Sequence, residues 1–209
     1  MGHERSPMRF HLRKVIIIIL SVLTLSALLT AMSSVATASD LTTAVERQTD
    51  LKGYTLTLLR NREYFQALSE RIREARTQIV IAFFLFKTNG HPASYPEIIL
   101  RELGRAARRG VRVTVVLERD AVPDSTINRD NRDSSERLRN NGVEIHFDSP
   151  KKTTHTKLAV IDGRYTFIGS HNLTQAALKH NNELSVLIDS PAVAERTMKY
   201  IQEICEETT

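Results

Sequence analysis

The nearly unbroken apolar run Ile79 to Phe86 constrains this chain more than any other feature, because a run of that length is the mark of a strand buried on both faces of a sheet. Val111 to Leu117 reads as another buried strand. Between them, Pro96 to Arg109 carries apolar residues at helical spacing and stops at Gly110. The alternation continues on both sides. Tyr54 to Leu59 predicts a first strand, and Asn61 to Ala75 a helix with Tyr64, Phe65, Leu68, Ile72 and Ala75 at core positions. Glu136 to Asn141 predicts a short helix closed by Gly142, then Val143 to Phe147 a strand in which His146 is structural. Leu173 to Lys179 predicts a helix, Glu183 to Ile188 a strand, and Ala192 to Ile204 a closing helix. Strands alternating with helices imply an α/β sandwich, a mixed β-sheet flanked by helices. Asp120 to Ser135 is rich in Asp, Asn, Ser and Arg without periodicity, which predicts a long polar loop and a candidate specificity element.

The chain has 209 residues, enough for one domain with a targeting segment. Arg5, Arg9, Arg13 and Lys14 stand against Glu4 before an apolar run from Val15 to Met32, and Ala36-Thr37-Ala38 offers a small-residue cleavage site before Ser39. We therefore expect a signal peptide at 1–38, a linker at 39–53 and a catalytic domain at 54–209, exported to the periplasm or secreted. The alternative is an uncleaved anchor through residues 15–32, holding the domain at a membrane outside the cytoplasm. The first segment accounts for +3 of the net +5, so about +2 remains, too little for a globally basic nucleic-acid binder. Any attraction for anions must come from local patches such as Arg101 to Arg112 or Lys151-Lys152. Cys205 is the single cysteine, which excludes an intrachain disulfide.

Chemistry concentrates in Thr154 to Thr174. Alternating residues from His155, the turn pair Asp162-Gly163 and the run Tyr165 to Gly169 predict a β-hairpin. Strand alternation puts His155 and Lys157 on one face, and Leu158, Val160 and Asp162 on the other. A turn at Asp162-Gly163 sets His155 opposite Ser170; a turn at Gly163-Arg164 sets His155 opposite Asn172 and Lys157 opposite Ser170. Both gather His155, Lys157, Ser170 and Asn172, whereas a three-residue loop breaks the grouping. A neutral imidazole is a nucleophile, and an ammonium, a hydroxyl and a carboxamide bind phosphate oxygens, so the set predicts phosphoryl transfer with neither metal nor cofactor. A metal site made of His155, His171 and Asp162 is disfavoured by the predicted faces.

His155-x-Lys157-x4-Asp162, followed by Gly169-Ser170-His171-Asn172, resembles the H-x-K-x4-D and G-S-x-N elements of the phospholipase D superfamily. Asn181-Asn182-Glu183 matches the N-x-E of its small single-motif members, the bacterial Nuc-type endonucleases and the mitochondrial cardiolipin hydrolase type. The resemblance runs from about Tyr54 to the C-terminus. It implies a phospholipase D-like sandwich with one catalytic half per chain, and a homodimer whose composite active site uses His155 of each protomer. One imidazole attacks phosphorus and the other protonates the leaving group. The implied catalytic residues are His155, Lys157, Asn172 and Glu183. Lys157, Ser170 and Asn172 bind substrate, Glu183 orients a histidine, and Asp162, Gly163 and Gly169 are structural. His171 and His180 are local alternatives for the second histidine, although His171 should point to the other face. The expected activity is phosphodiester hydrolysis through a phosphohistidine, with nucleic acid slightly favoured as substrate over phospholipid. A non-catalytic dimer that binds nucleic acid or membrane is the rival of another class.

Overall fold

The computed structural model describes residues 53–207, so the predicted signal segment and nearly all of the linker lie outside the described residues. Among the described residues, no helix is long and apolar enough to cross a membrane. Strands β1 (Thr55–Arg60), β2 (Gln78–Phe83), β3 (Arg112–Leu117), β4 (Glu144–Phe147), β5 (Lys157–Ile161), β6 (Tyr165–Gly169) and β7 (Leu184–Asp189) form one sheet of order β1-β7-β6-β5-β2-β3-β4. β2, β3 and β4 are parallel, and the remaining pairs are antiparallel. The helices are α1 (Arg62–Glu74), α2 (Tyr95–Arg108), α3 (Thr126–Arg139), α4 (Gln175–Lys179) and α5 (Pro191–Glu206).

Strand alternation divides the core in two. Ile79, Ile81, Phe83, Val113, Val115, Leu117, Ala159, Ile161 and Phe167 pack with α1 to α4. Ala82, Val116, Leu158 and Val160 face the other way, against Ala194, Ile201 and Ile204 of α5. Cys205 packs beside this second cluster, and burial pushes its thiol up from the ordinary range. The apolar run from Ile79 leaves the sheet after Phe83, and Phe84 to Phe86 continue as a connection in which Phe86 bridges Leu173.

The expected polar loop is wrong beyond Ser125, because residues 126–139 are helical. Its buried side is made of Asn128, Asn131, Ser134, Ser135 and Leu138, a helical spacing spelled mostly in polar residues. Those side chains are tolerated inside because they bond to backbone. Asn131 accepts from Phe86 N at 2.8 Å and donates to the Phe84 and Glu118 carbonyls, each at 3.0 Å. Ser134 donates to Phe86 O, and Ser125 caps the helix by accepting from Asn128 N.

The hairpin also differs from both expected registers. Ile161 pairs with Tyr165, leaving Asp162, Gly163 and Arg164 as a three-residue loop with φ of +53° at Asp162 and +61° at Gly163. The reason lies in Asp162, whose carboxylate accepts from the amides of Arg76, Thr77 and Gln78 and from the Thr77 hydroxyl at 2.8–3.1 Å. Tying the turn to the start of β2 outweighs the geometry of a two-residue turn. Burial pushes the Asp162 carboxyl up, but its hydrogen bonds prevail and hold it below the ordinary value. That stability is therefore present above the unfolded-state pKa and is lost as pH falls through the folded one. Asp162→Asn should cost about 2 kcal/mol, since hydrogen bonds to a charged acceptor contribute roughly 1.5–3 kcal/mol. Urea unfolding at neutral pH and at pH 3 should show the difference between the proteins shrinking in acid.

Candidate active site

The sheet register gathers the site at one end. Phe83 pairs with both Leu117 and Lys157, Leu117 with Phe147, and Gly169 with Ser185. The chain just beyond those positions supplies Phe84, Glu118, Asp148, His155, Ser170 and Glu183. Direction thus does what cross-strand pairing was expected to do.

His155 is exposed, and its ring meets Phe84 edge-on at a centroid distance of 4.8 Å. Lys157 is only 7 % exposed. Its Nζ lies 5.1 Å from the Phe84 ring centroid and donates to the His155 carbonyl at 3.0 Å. Burial lowers the Lys157 pKa, an effect opposed by the charge of Glu183. An ammonium stripped of water in this way acts strongly on a neighbouring anion.

Ser170 donates its hydroxyl proton to the Glu183 carboxylate and accepts from Leu184 N at 3.2 Å. Asn181 Nδ2 reaches Glu183 Oε1 at 3.1 Å, and Glu183 N donates to Asn61 Oδ1 at 2.9 Å. Asn172 Oδ1 is buried without a hydrogen-bond partner among the described residues. The structure therefore joins His155 with Lys157 and Ser170 with Glu183. Electrostatics couples Lys157 to Glu183. Among the described residues, nothing hydrogen-bonds the His155 ring. Gly169 permits the close approach of β6 to β7, since a Cβ there would lie 2.5 Å from Ser185 Cα.

His171 is sealed in the core. Its Nδ1 lies 2.7 Å from Ser185 Oγ and its Nε2 2.9 Å from Asn61 O, with the ring stacked on Tyr64 at 4.3 Å. Burial lowers its pKa. It is available neither as a second catalytic histidine nor as a metal ligand. Asp162 lies at the far end of β5 from His155, which separates the three groups of the metal reading. His180 is exposed at the end of α4, and Lys152 pairs with Glu207 at 2.9 Å.

Sequence reasoning missed Phe84 and a buried carboxyl pair. Glu118 and Asp148 are 2 % and 1 % exposed, and both accept from the backbone N–H of Thr154, the residue before His155. Asp148 also accepts from Arg119 N at 2.5 Å. Burial, then the hydrogen bond with Asp148, pushes Glu118 up to about 7. Acids immediately after two expected strands were the available signal, being costly to bury unless shared. A raised carboxyl pKa means that the folded state holds the extra proton, so stability falls as pH rises from the unfolded value through about 7. Glu118→Gln should flatten the slope of unfolding free energy between pH 5 and 8, a change on the order of 2 kcal/mol across that range. Unchanged slopes in urea titrations would contradict this.

A family model described as "Cardiolipin synthase, PLD-like domain" matches residues 68–205. The chain belongs to the phospholipase D superfamily. Among curated relatives, cardiolipin synthase A of Pseudomonas putida is 28% identical over 156 residues, 66% of this chain and 30% of that protein. The chain thus spans under a third of the length of such relatives. The mitochondrial cardiolipin hydrolase of Xenopus laevis is 32% identical over 102 residues, 48% of this chain and 45% of the relative. Nuc of Salmonella typhimurium, a phospholipase D family member, superposes with TM-score 0.62 at 23% identity, over 74% of this chain and 95% of that one. NucT from Helicobacter pylori gives 0.57 at 20% identity, over 74% and 97%. These structures share the mixed-sheet fold.

Proposed function

We propose that the protein is a metal-independent phosphodiesterase acting through a phosphohistidine, as a homodimer, with nucleic acid as its substrate class. The observation that carries the reading is the exposed His155 imidazole beside a buried Lys157 ammonium, with Ser170 and Glu183 at the same end of the sheet. In this mechanism an imidazole nitrogen of His155 attacks phosphorus, forming a P–N bond as the P–O bond to the leaving group breaks. The leaving oxygen takes a proton from the second His155 of the dimer. Water, giving its proton to that same second imidazole, then attacks phosphorus and breaks the P–N bond. Lys157 offsets the charge on the non-bridging oxygens. The Asn172 amide Nδ2 and the Ser170 hydroxyl, once it turns from Glu183 to the phosphate, donate the remaining phosphate contacts. Glu183, which makes no bond to its own His155, orients an imidazole across the dimer.

An exposed apolar sheet face supports the twofold partner. Leu58 (59 % exposed) pairs with Val186, which pairs with Ile168 (37 %), and Leu184 (54 %) directly follows Glu183. A second copy covering these residues brings the two sites together. The export expected from residues 1–38 belongs to the same proposal.

The single-half architecture shared with Nuc and NucT favours nucleic acid, while the cardiolipin synthase and hydrolase relatives favour a phospholipid as the second reading. Incubating the purified chain with single-stranded DNA, duplex DNA, RNA, phosphatidylcholine and cardiolipin vesicles separates them. Cleavage of a nucleic acid with lipids left intact is expected; turnover of cardiolipin alone would reverse the assignment.

A further inference from the structure

Beside the catalytic end of the sheet, a cavity of about 570 Å³ is walled by the segment after β3, one side of α3, Phe147 at the end of β4, and Pro150. Cavities of 300–1,000 Å³ are of ligand-binding size, and open α/β sheets bind ligands outside the carboxyl ends of their parallel strands. This one lies at the carboxyl ends of β3 and β4. Short chain connections link it to the catalytic histidine: Arg119 follows Glu118, which holds Thr154, and Pro150 precedes His155 by five residues.

Its charge suits an anion. Arg119, Arg132 and Arg139 all line the cavity, and among the described residues none of the three pairs with a carboxylate. Arg139 instead lies over the Phe147 ring, 5.8 Å from its centroid. Asp120 and Glu136 also face the cavity, so the guanidiniums outnumber the acids by one. Asp120 already accepts from Val122 N at 3.0 Å. Guanidinium forks match phosphate, and an apolar wall with an aromatic edge suits the sugar and base beside it.

We propose that this cavity is a second subsite, binding a phosphate of the polynucleotide strand next to the one cleaved, through Arg119 and Arg132. The inference rests on the nucleic-acid reading above. It makes α3 and the segment before it, the stretch singled out in the sequence as a specificity element, the part of the fold that reads substrate length.

The test compares wild type with the Arg119→Ala/Arg132→Ala double variant on three substrates: an aryl phosphodiester too small to leave the catalytic site, a dinucleotide, and a longer single-stranded DNA oligonucleotide. Both side chains are exposed and unpaired, so the aryl diester should be turned over equally by both proteins. For the oligonucleotide, KM should rise on the order of tenfold per guanidinium removed, with kcat little changed. The fall in KM from dinucleotide to oligonucleotide should be present in wild type and absent in the variant. The dependence of log affinity on log salt should flatten by about 0.7 for each phosphate that the variant no longer neutralises. Arg132→Glu, a single change on an exposed helix position, should act in the same direction. Equal oligonucleotide KM in folded wild type and variants would overturn the subsite while leaving the nucleic-acid reading standing. A wild type that turns over the aryl diester but leaves DNA and RNA intact would overturn both.

Discussion

Lys157→Ala should lower turnover of any phosphodiester about a hundredfold while leaving the unfolding midpoint nearly unchanged. Lys157 is 7 % exposed, and among the described residues its ammonium bonds to the His155 carbonyl and to no carboxylate at hydrogen-bond distance. Such a charge stabilises the developing phosphorane oxygens, and losing one stabilising group of this kind costs on the order of 3 kcal/mol in the transition state. Removing it also relieves a desolvation penalty, which is why stability should hold. The measurement is kcat with a generic aryl diester alongside thermal unfolding. Activity within a few-fold of wild type would mean that another cation meets the phosphate.

Mixing His155→Asn chains with wild type should silence the wild-type chains they pair with. Among the described residues, His155 is the exposed histidine beside Lys157, whereas His171 is locked between Ser185 and Asn61 in the core. If each site needs both imidazoles, random re-pairing of an equal mixture reduces wild-type homodimers from about half of all dimers to about a quarter, and activity halves. A large excess of His155→Asn chains should drive it toward zero. Activity that stays constant at every mixing ratio would show that one chain suffices.

Much of the architecture was legible because its signals are apolar and periodic. β2, β3 and the helices α1, α2, α4 and α5 fall within a residue or two of their expected starts, and strand parity correctly divides Ala159 and Ile161 from Leu158 and Val160. The misses have one physical cause, polar side chains doing structural work. Asn128, Asn131 and Ser134 make the buried side of α3 by bonding to backbone, which hydrophobic periodicity cannot register. Asp162 bonds the start of β2, and that long-range tie sets the hairpin loop at three residues. The candidate site residues were chosen from motif and chemistry. Their juxtaposition arises from strand ends meeting at one edge of the sheet, and the pair Glu118 and Asp148, far apart in sequence, shows itself only once β3 and β4 are side by side.

The proposed intermediate can be sought directly by quenching a single turnover of a phosphorus-labelled diester and mapping the label on the protein. An acid-labile, base-stable adduct is expected on His155, forming and decaying at rates consistent with kcat and missing from His155→Asn. Product formed in a single turnover with no adduct, or an adduct of the same stability retained by His155→Asn, would contradict it.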